Sequence, residues 1–334
     1  MKENIFKKLL LVIIMVTWSH ITPQSLALAQ VPFPTKPVAV WVGFSAGGVT
    51  DNAVRALTAA TEKSLGQRII VVNKPGGGGA VMASQLVNEK PDGYTLGGNT
   101  DTPITKSPHL TNVSYDPFKD FRYICLIGKF DSVFAVSADS PFKKWEEVVD
   151  WAKKNPGQLM YGHVGPGTSL HLGMVKVAKK EGFTYKDIPF NGDAPMVSAL
   201  LGGHVMVGGV SRVPVRTHVE AKTIRILLTF DKESIDYAPE VPTFEKMGYD
   251  FDPPMNLIVI FAPKRIPDHV AEILEKAFVD GLKKETFRTA AKIQGITLLA
   301  EPLIGKALFD YLRKWYVVYE GYIKEAGIYK IEKK

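Results

Sequence analysis

Cysteine is almost missing from this chain: Cys125 stands alone among 334 residues. A single cysteine forms no internal disulfide, so burial must hold the fold together. After the first thirty residues, long apolar runs are missing too. None approaches the roughly 20 apolar residues a membrane span needs. The formal charge is +7, yet no basic run is interleaved with aromatics. Lysine pairs such as Lys143–Lys144, Lys153–Lys154 and Lys179–Lys180 are scattered, as on solvated helix faces, which argues against nucleic acid. Gly209-Val210-Ser211-Arg212-Val213 fails the last position of a nucleophile elbow. No His/Cys/Asp cluster has metal-ligand spacing. The glycine loops match neither the P-loop nor the dinucleotide fingerprint. Ser169 and His171, two apart at a helix start, do not face each other as a nucleophile–base pair would. The reading is therefore a binding protein, not an enzyme, with no metal and no organic cofactor.

What is present begins with a secretion signal over residues 1–29. Lys2, Lys7 and Lys8 precede an apolar run from Leu9 to Trp18, and Ala27-Leu28-Ala29 forms an A-x-A cleavage site. The mature, exported chain is expected from Gln30. Its length suits two domains of ordinary size.

Strands and helices then alternate, as in a largely parallel α/β protein. Val38 to Val42 reads as a strand. Gly43 to Val49 is a glycine turn, and a helix follows that Thr50 or Asp51 can cap. A second strand (68–72), a four-glycine loop (Gly76 to Gly79), a helix (80–88) and a short strand (94–97) come next. The polar run Asn99-Thr100-Asp101-Thr102 follows them. Residues 121–134 are extended and apolar, interrupted at Gly128. A second series has strands at 159–163, 187–190, 205–210 and 224–229 and helices at 145–154, 170–180 and 194–201. In it Gly165-Pro166-Gly167-Thr168-Ser169 is another glycine turn before a helix, and Asn191-Gly192-Asp193 is a turn. A strand at 257–261 and helices at 268–283, 286–294 and 306–326 close the chain. Each glycine turn aims free backbone N–H groups and a helix dipole at one point, which suits a carboxylate. Two such units facing each other would pinch a small anion, so a two-lobed clamp is the natural architecture.

These segments, in order, resemble a known family. They are the Trp41-Val-Gly-Phe-Ser-Ala-Gly-Gly-Val-Thr-Asp51 turn, Leu65-Gly66-Gln67, Val71-Val72-Asn73-Lys74-Pro75 with its glycines, and Pro91-Asp92-Gly93-Tyr94. Tyr115-Asp116-Pro117-Phe118, Gly165-x-Gly-Thr-Ser-x-His171, Leu200-Leu-Gly-Gly203 and Pro239-Glu-Val-Pro-Thr243 complete the set. The chain is similar to the periplasmic solute receptors of tripartite tricarboxylate transporters, also called Bug receptors. The resemblance implies a two-lobed type II periplasmic binding protein fold with a hinge. Lobe I would hold residues 30–130 plus 231–334, and lobe II residues 131–230. It further implies a monomer that passes a small carboxylate to large and small integral-membrane transporter subunits. A ligand-presenting subunit of a membrane signalling kinase is the alternative.

The first turn offers Phe44, Ser45, Ala46, Gly47, Gly48 and Thr50 to the ligand. The second offers Gly165, Gly167, Thr168 and Ser169. Asn99, Thr100, Asp101, Asn191, Ser211 and Arg212 are expected to add polar contacts. Where relatives often carry an aspartate, this chain has Val210-Ser211-Arg212. Where many have tyrosine-lysine, it has Phe190-Asn191. An Arg212 facing the cleft would favour a di- or tricarboxylate over an amino acid. Asp101, at a strand end, argues the other way by accepting a hydroxyl or amine. Phe44 leaves room for aromatic acids.

Overall fold

The computed structural model describes residues 32–230, 232–249 and 256–330. The secretion signal expected at 1–29 lies outside them. Strand β1 (Val38–Val42) alternates, with Val38, Val40 and Val42 wholly buried. Helix α1 (Val49–Leu65) buries one stripe, including Val54 and Leu57. It stops at Gly66, whose left-handed φ of 78° lets its N–H reach the Glu62 carbonyl at 2.9 Å. Burying each such Val or Leu contributes about 1.5–3 kcal/mol.

The chain continues through β2 (Ile69–Asn73), α2 (Ala80–Leu86) and β3 (Thr95–Thr100). Two single-turn helices follow, α3 (Thr102–Thr105) and α4 (Ser107–Leu110). Then come β4 (Phe121–Phe130), β5 (Ser132–Ser137), α5 (Trp145–Lys154), β6 (Leu159–His163) and α6 (Ser169–Glu181). The next elements are β7 (Tyr185–Pro189), α7 (Asp193–Leu201), β8 (Val207–Ser211), α8 (Arg216–Glu220) and β9 (Ile224–Thr229). The last are β10 (Asn256–Pro263), α9 (Asp268–Leu282), α10 (Glu285–Ile293), β11 (Ile296–Thr297) and α11 (Gly305–Glu325).

Two sheets result, in the orders β11-β4-β10-β3-β1-β2 and β7-β6-β8-β5-β9. The chain passes from the first to the second between Phe130 and Ser132, and returns by β10. The expectation of a largely parallel protein holds for β2-β1-β3 and β7-β6-β8. It fails elsewhere. β4, β5, β9, β10 and β11 all pair antiparallel: β10 runs against β3 and β5 against β8, and β4, β11 and β9 extend the sheets from those reversed strands. Strand β3 also runs further than its sequence indicates. Gly97 and Gly98 sit with Phe261, Leu86, Val40 and Val54 so close that a Cβ would fall within 3 Å of each neighbour. The glycine pair therefore continues the strand under tight packing and does not end it.

The core around the second sheet centres on Phe134, packed on Trp145, Tyr161, Phe230 and Phe244. The buried Trp145 indole N–H is satisfied by the Tyr249 hydroxyl at 2.7 Å. The first sheet's aromatic cluster holds Phe121, Tyr123 and Phe261, with Leu308 and Leu312 of α11 beside them.

Candidate functional site

The parallel strands of both sheets end toward the same polar region. β1 runs into the first glycine turn, β3 ends at Thr100, β6 leads to the second glycine turn and β8 ends at Ser211. Such C-terminal strand ends are where open α/β sheets place ligands.

The first turn is braced from beneath. Asp51, in the first turn of α1, accepts from the Gly47 N–H at 3.0 Å, Arg55 Nε at 2.9 Å and Asn73 Nδ2 at 2.8 Å. Burial alone would raise its carboxyl. The bonds from Arg55, Gly47 and Asn73, with the Arg55 charge, outweigh it and hold the group below its ordinary value. The residue capping α1 is Gly48, which makes no side-chain cap bond, so neither Thr50 nor Asp51 caps the helix. The second turn is braced by its own hydroxyl. Thr168 caps α6, with Oγ1 donating to the Gly165 carbonyl at 2.7 Å and accepting from the His171 N–H at 3.4 Å. His171 Nδ1 accepts from the Gly167 N–H at 3.2 Å, fixing the loop.

A cavity of about 20 Å³ lies between these turns. Its lining includes Phe44, Gly48, Thr50, Thr100, Thr168 and Ser211, together with Asp193. That volume holds about one water. Asp193, at the start of α7, is buried. Its Oδ1 accepts from the Ser211 N–H at 2.9 Å, and its Oδ2 from the Ser211 hydroxyl at 3.0 Å and the Val49 N–H at 3.4 Å. A Cβ on Gly48 would stand 3.1 Å from that oxygen, so glycine there admits the approach. Burial pushes the Asp193 carboxyl up, against the opposing bonds from Ser211 and Val49. Thus the first free N–H of α1 already holds a carboxylate, from the other sheet's side of the cavity. Close by, the Ser45 N–H donates to the Asn191 carbonyl at 2.8 Å. A second cavity, of about 460 Å³, includes Gly77, Pro166, His171 and Lys330 in its lining and shares no lining residue with the first.

A family model described as the tripartite tricarboxylate transporter family receptor matches residues 36–301. The chain belongs to this receptor family. A relative from Cupriavidus necator, named for the gbd 5′ region, is 36% identical over 274 residues, or 79% of this chain and 82% of its own. Among solved structures, the periplasmic binding protein BugD superposes with a TM-score of 0.84 at 26% identity, over 90% of this chain and all of its own. MatC from Rhodopseudomonas palustris, solved with bound malate, superposes at 0.81 with 23% identity, over 87% of this chain and all of its own. The fold is thus that of the periplasmic binding proteins, and the protein is a solute receptor, not an enzyme.

Within the receptor, the residues named from sequence separate into groups. Phe44, Gly48, Thr50, Thr100, Thr168 and Ser211 line the cavity, and Thr100 Oγ1 is buried without a hydrogen-bond partner among the described residues. Ser45, Ala46 and Gly47 belong to the first turn but are not among the lining residues. Gly165, Gly167 and Asn191 shape the loops around the cavity without lining it. Ser169 donates its hydroxyl to Asn256 Oδ1 at 2.5 Å, and Asn256 Nδ2 donates to Ser132 Oγ and the Phe130 carbonyl. That chain ties α6 to the two strands where the sheets meet. Asn99 lies under the glycine loop, with Nδ2 3.5 Å from the Gly79 carbonyl.

Two of the named residues make their contacts elsewhere. Asp101 does not face the cavity. It is wholly buried and accepts from Thr105 Oγ1, Lys106 Nζ and the Leu257 N–H, the first two at 2.7 Å. Arg212 lies toward Asp131, 3.9 Å away, and is not among the lining residues. The acid that does line the cavity, Asp193, reads in sequence only as part of a turn. Its signal is an acidic residue opening a helix just past a strand end.

Proposed function

We propose that this receptor captures a small carboxylate between the halves carrying its two sheets and delivers it to the large and small membrane subunits of a tripartite transporter. The observation that carries the reading is the Val49 N–H at the start of α1, which already donates to a carboxylate, with the start of α6 across the same cavity. A helix N-terminus binds such a group without a charged side chain. MatC, of the same fold, holds malate.

A four-carbon acid does not fit in 20 Å³, so the halves must part to admit ligand and close upon it. Contacts to both halves exist only in the closed form, so ligand shifts that equilibrium. Lobe I would comprise residues 30–130 and 231–334, and lobe II residues 131–230, with the strand switch at Phe130–Ser132 as one hinge segment. The receptor works as an exported monomer, freed of residues 1–29.

A thermal-shift screen of residues 30–334 against mono-, di- and tricarboxylates, aromatic acids and acidic amino acids tests this. Specific binding stabilises by about 2.7 kcal/mol at a hundredfold excess over Kd. A shift with one carboxylate class supports the reading. No shift with any acid overturns it.

A further inference from the structure

We propose that Asp193 is a specificity-determining residue that selects, among small carboxylates, those bearing a protonated amine beside the docked carboxyl group. This deepens the receptor reading above and rests on it. Asp193 lines the cavity, and its three hydrogen-bond donors occupy three of roughly four acceptor positions that a carboxylate offers. One position is left for a ligand.

Among the described residues no lysine, arginine or histidine pairs with Asp193, and its only bonds come from neutral groups. The receptor's other deeply placed acids differ. Asp101 has Lys106 and Asp51 has Arg55. A buried carboxylate with no cation is costly, and such a group in a cleft marks a functional site. The missing partner is a positive charge, and the cavity is where it would arrive.

A ligand carboxyl docked at the start of α1 brings a second negative charge beside Asp193. An ammonium on the adjoining carbon relieves both. It carries three N–H donors. One meets Asp193, and another meets Thr100 Oγ1, a buried acceptor on the same cavity with no partner of its own. Arg212, the residue that would have drawn a second acid, is turned to Asp131.

The test is calorimetric titration of the purified receptor at neutral pH with matched acids: aspartate against succinate and malate, glutamate against glutarate, and phenylalanine against phenylpropionate. We expect one amino acid to bind on the order of tenfold or more tighter than its amine-free partners, as a charge-assisted hydrogen bond predicts. Asp193→Asn and Asp193→Ser should each bring that ratio close to one while amine-free acids still bind. Melting curves confirm that each variant is folded, and the wild-type ratio decides even if neither is. Amine-free acids binding as tightly as their partners overturn the proposal and leave the receptor reading intact. So does a ratio that survives both substitutions. If no acid of any kind binds the wild type, both readings fall.

Discussion

Asp101 and Asp193 are both buried carboxylates at the cleft side of a sheet, and they are built differently. Asp101 accepts from a buried lysine, a threonine hydroxyl and a backbone N–H, so a cation sits against its charge. Lys106 in turn lies 4.3 Å from the centre of the Tyr319 ring. Burial lowers the Lys106 pKa, and the Asp101 charge opposes it. This cluster joins the end of β3 to β10 and α11, and Asp101 is not among the residues lining the small cavity. Among the described residues Asp193 has neutral donors alone, and it lines a cavity. The first arrangement locks a structure. The second keeps a charge available, at a cost that a purely structural acid has no reason to carry.

The largest expected effect breaks the first arrangement. Asp101→Ala leaves the Lys106 ammonium buried without its counter-ion, which typically costs about 3–5 kcal/mol. Urea unfolding of the purified variant reads this directly. Replacing both residues at once, as Asp101→Leu with Lys106→Met, should recover much of the loss, because a well-packed apolar pair is often as stable as an ion pair. A single-variant loss below about 1 kcal/mol would mean the pair behaves like an exposed one, and the contrast with Asp193 would collapse.

Thr168→Ala sits between the two cases, since Thr168 both holds its loop and lines the cavity. Loss of the cap should cost about 1 kcal/mol of stability. Ligand affinity should fall by about 0.5–1.5 kcal/mol, or 1.5–3 if the ligand group it meets is charged. Stability loss with unchanged affinity would assign Thr168 to the loop alone.

Much of this was open to reading in the sequence, for a physical reason. Periodicity and turn chemistry are local. The two glycine turns fall where expected, strands 159–163 and 224–229 match to the residue, and α9 and α11 differ from expectation by one residue at an end or two. The directions of β4, β5 and β10 were hidden, because strand pairing is not a local property. The partners of Asp101 and Asp193 were hidden for the same reason. A strand-end position shows that an acid is near the cleft, but not which way it points. Asp101 meets a lysine five residues on, through the tight turn of α3. Asp193 meets Val49, 144 positions away, and nothing in either segment announces the other.

The smallest expected effect is on stability at neutral pH in Asp193→Asn, and its sign sharpens the comparison. The amide keeps one acceptor for the Ser211 N–H and loses another, a cost of about 1 kcal/mol. It also removes a buried charge that has no cation, which offsets much of that cost. The net change should therefore stay within about 1 kcal/mol, against several for Asp101→Ala. The pH dependence follows from burial raising the Asp193 carboxyl above its unfolded value. The folded state binds that proton more tightly, so the contribution favours folding in full below the ordinary carboxylate value of about 3.9. It is lost as pH rises through the raised value. Asparagine does not titrate, so wild type should gain on the variant as pH falls from neutral toward 4. Paired melting curves across that range give the difference directly. A gap that stays flat, or that widens in the variant's favour on acidification, would mean that the neutral donors around Asp193 compensate its charge, and the buried charge would need no ligand to explain it.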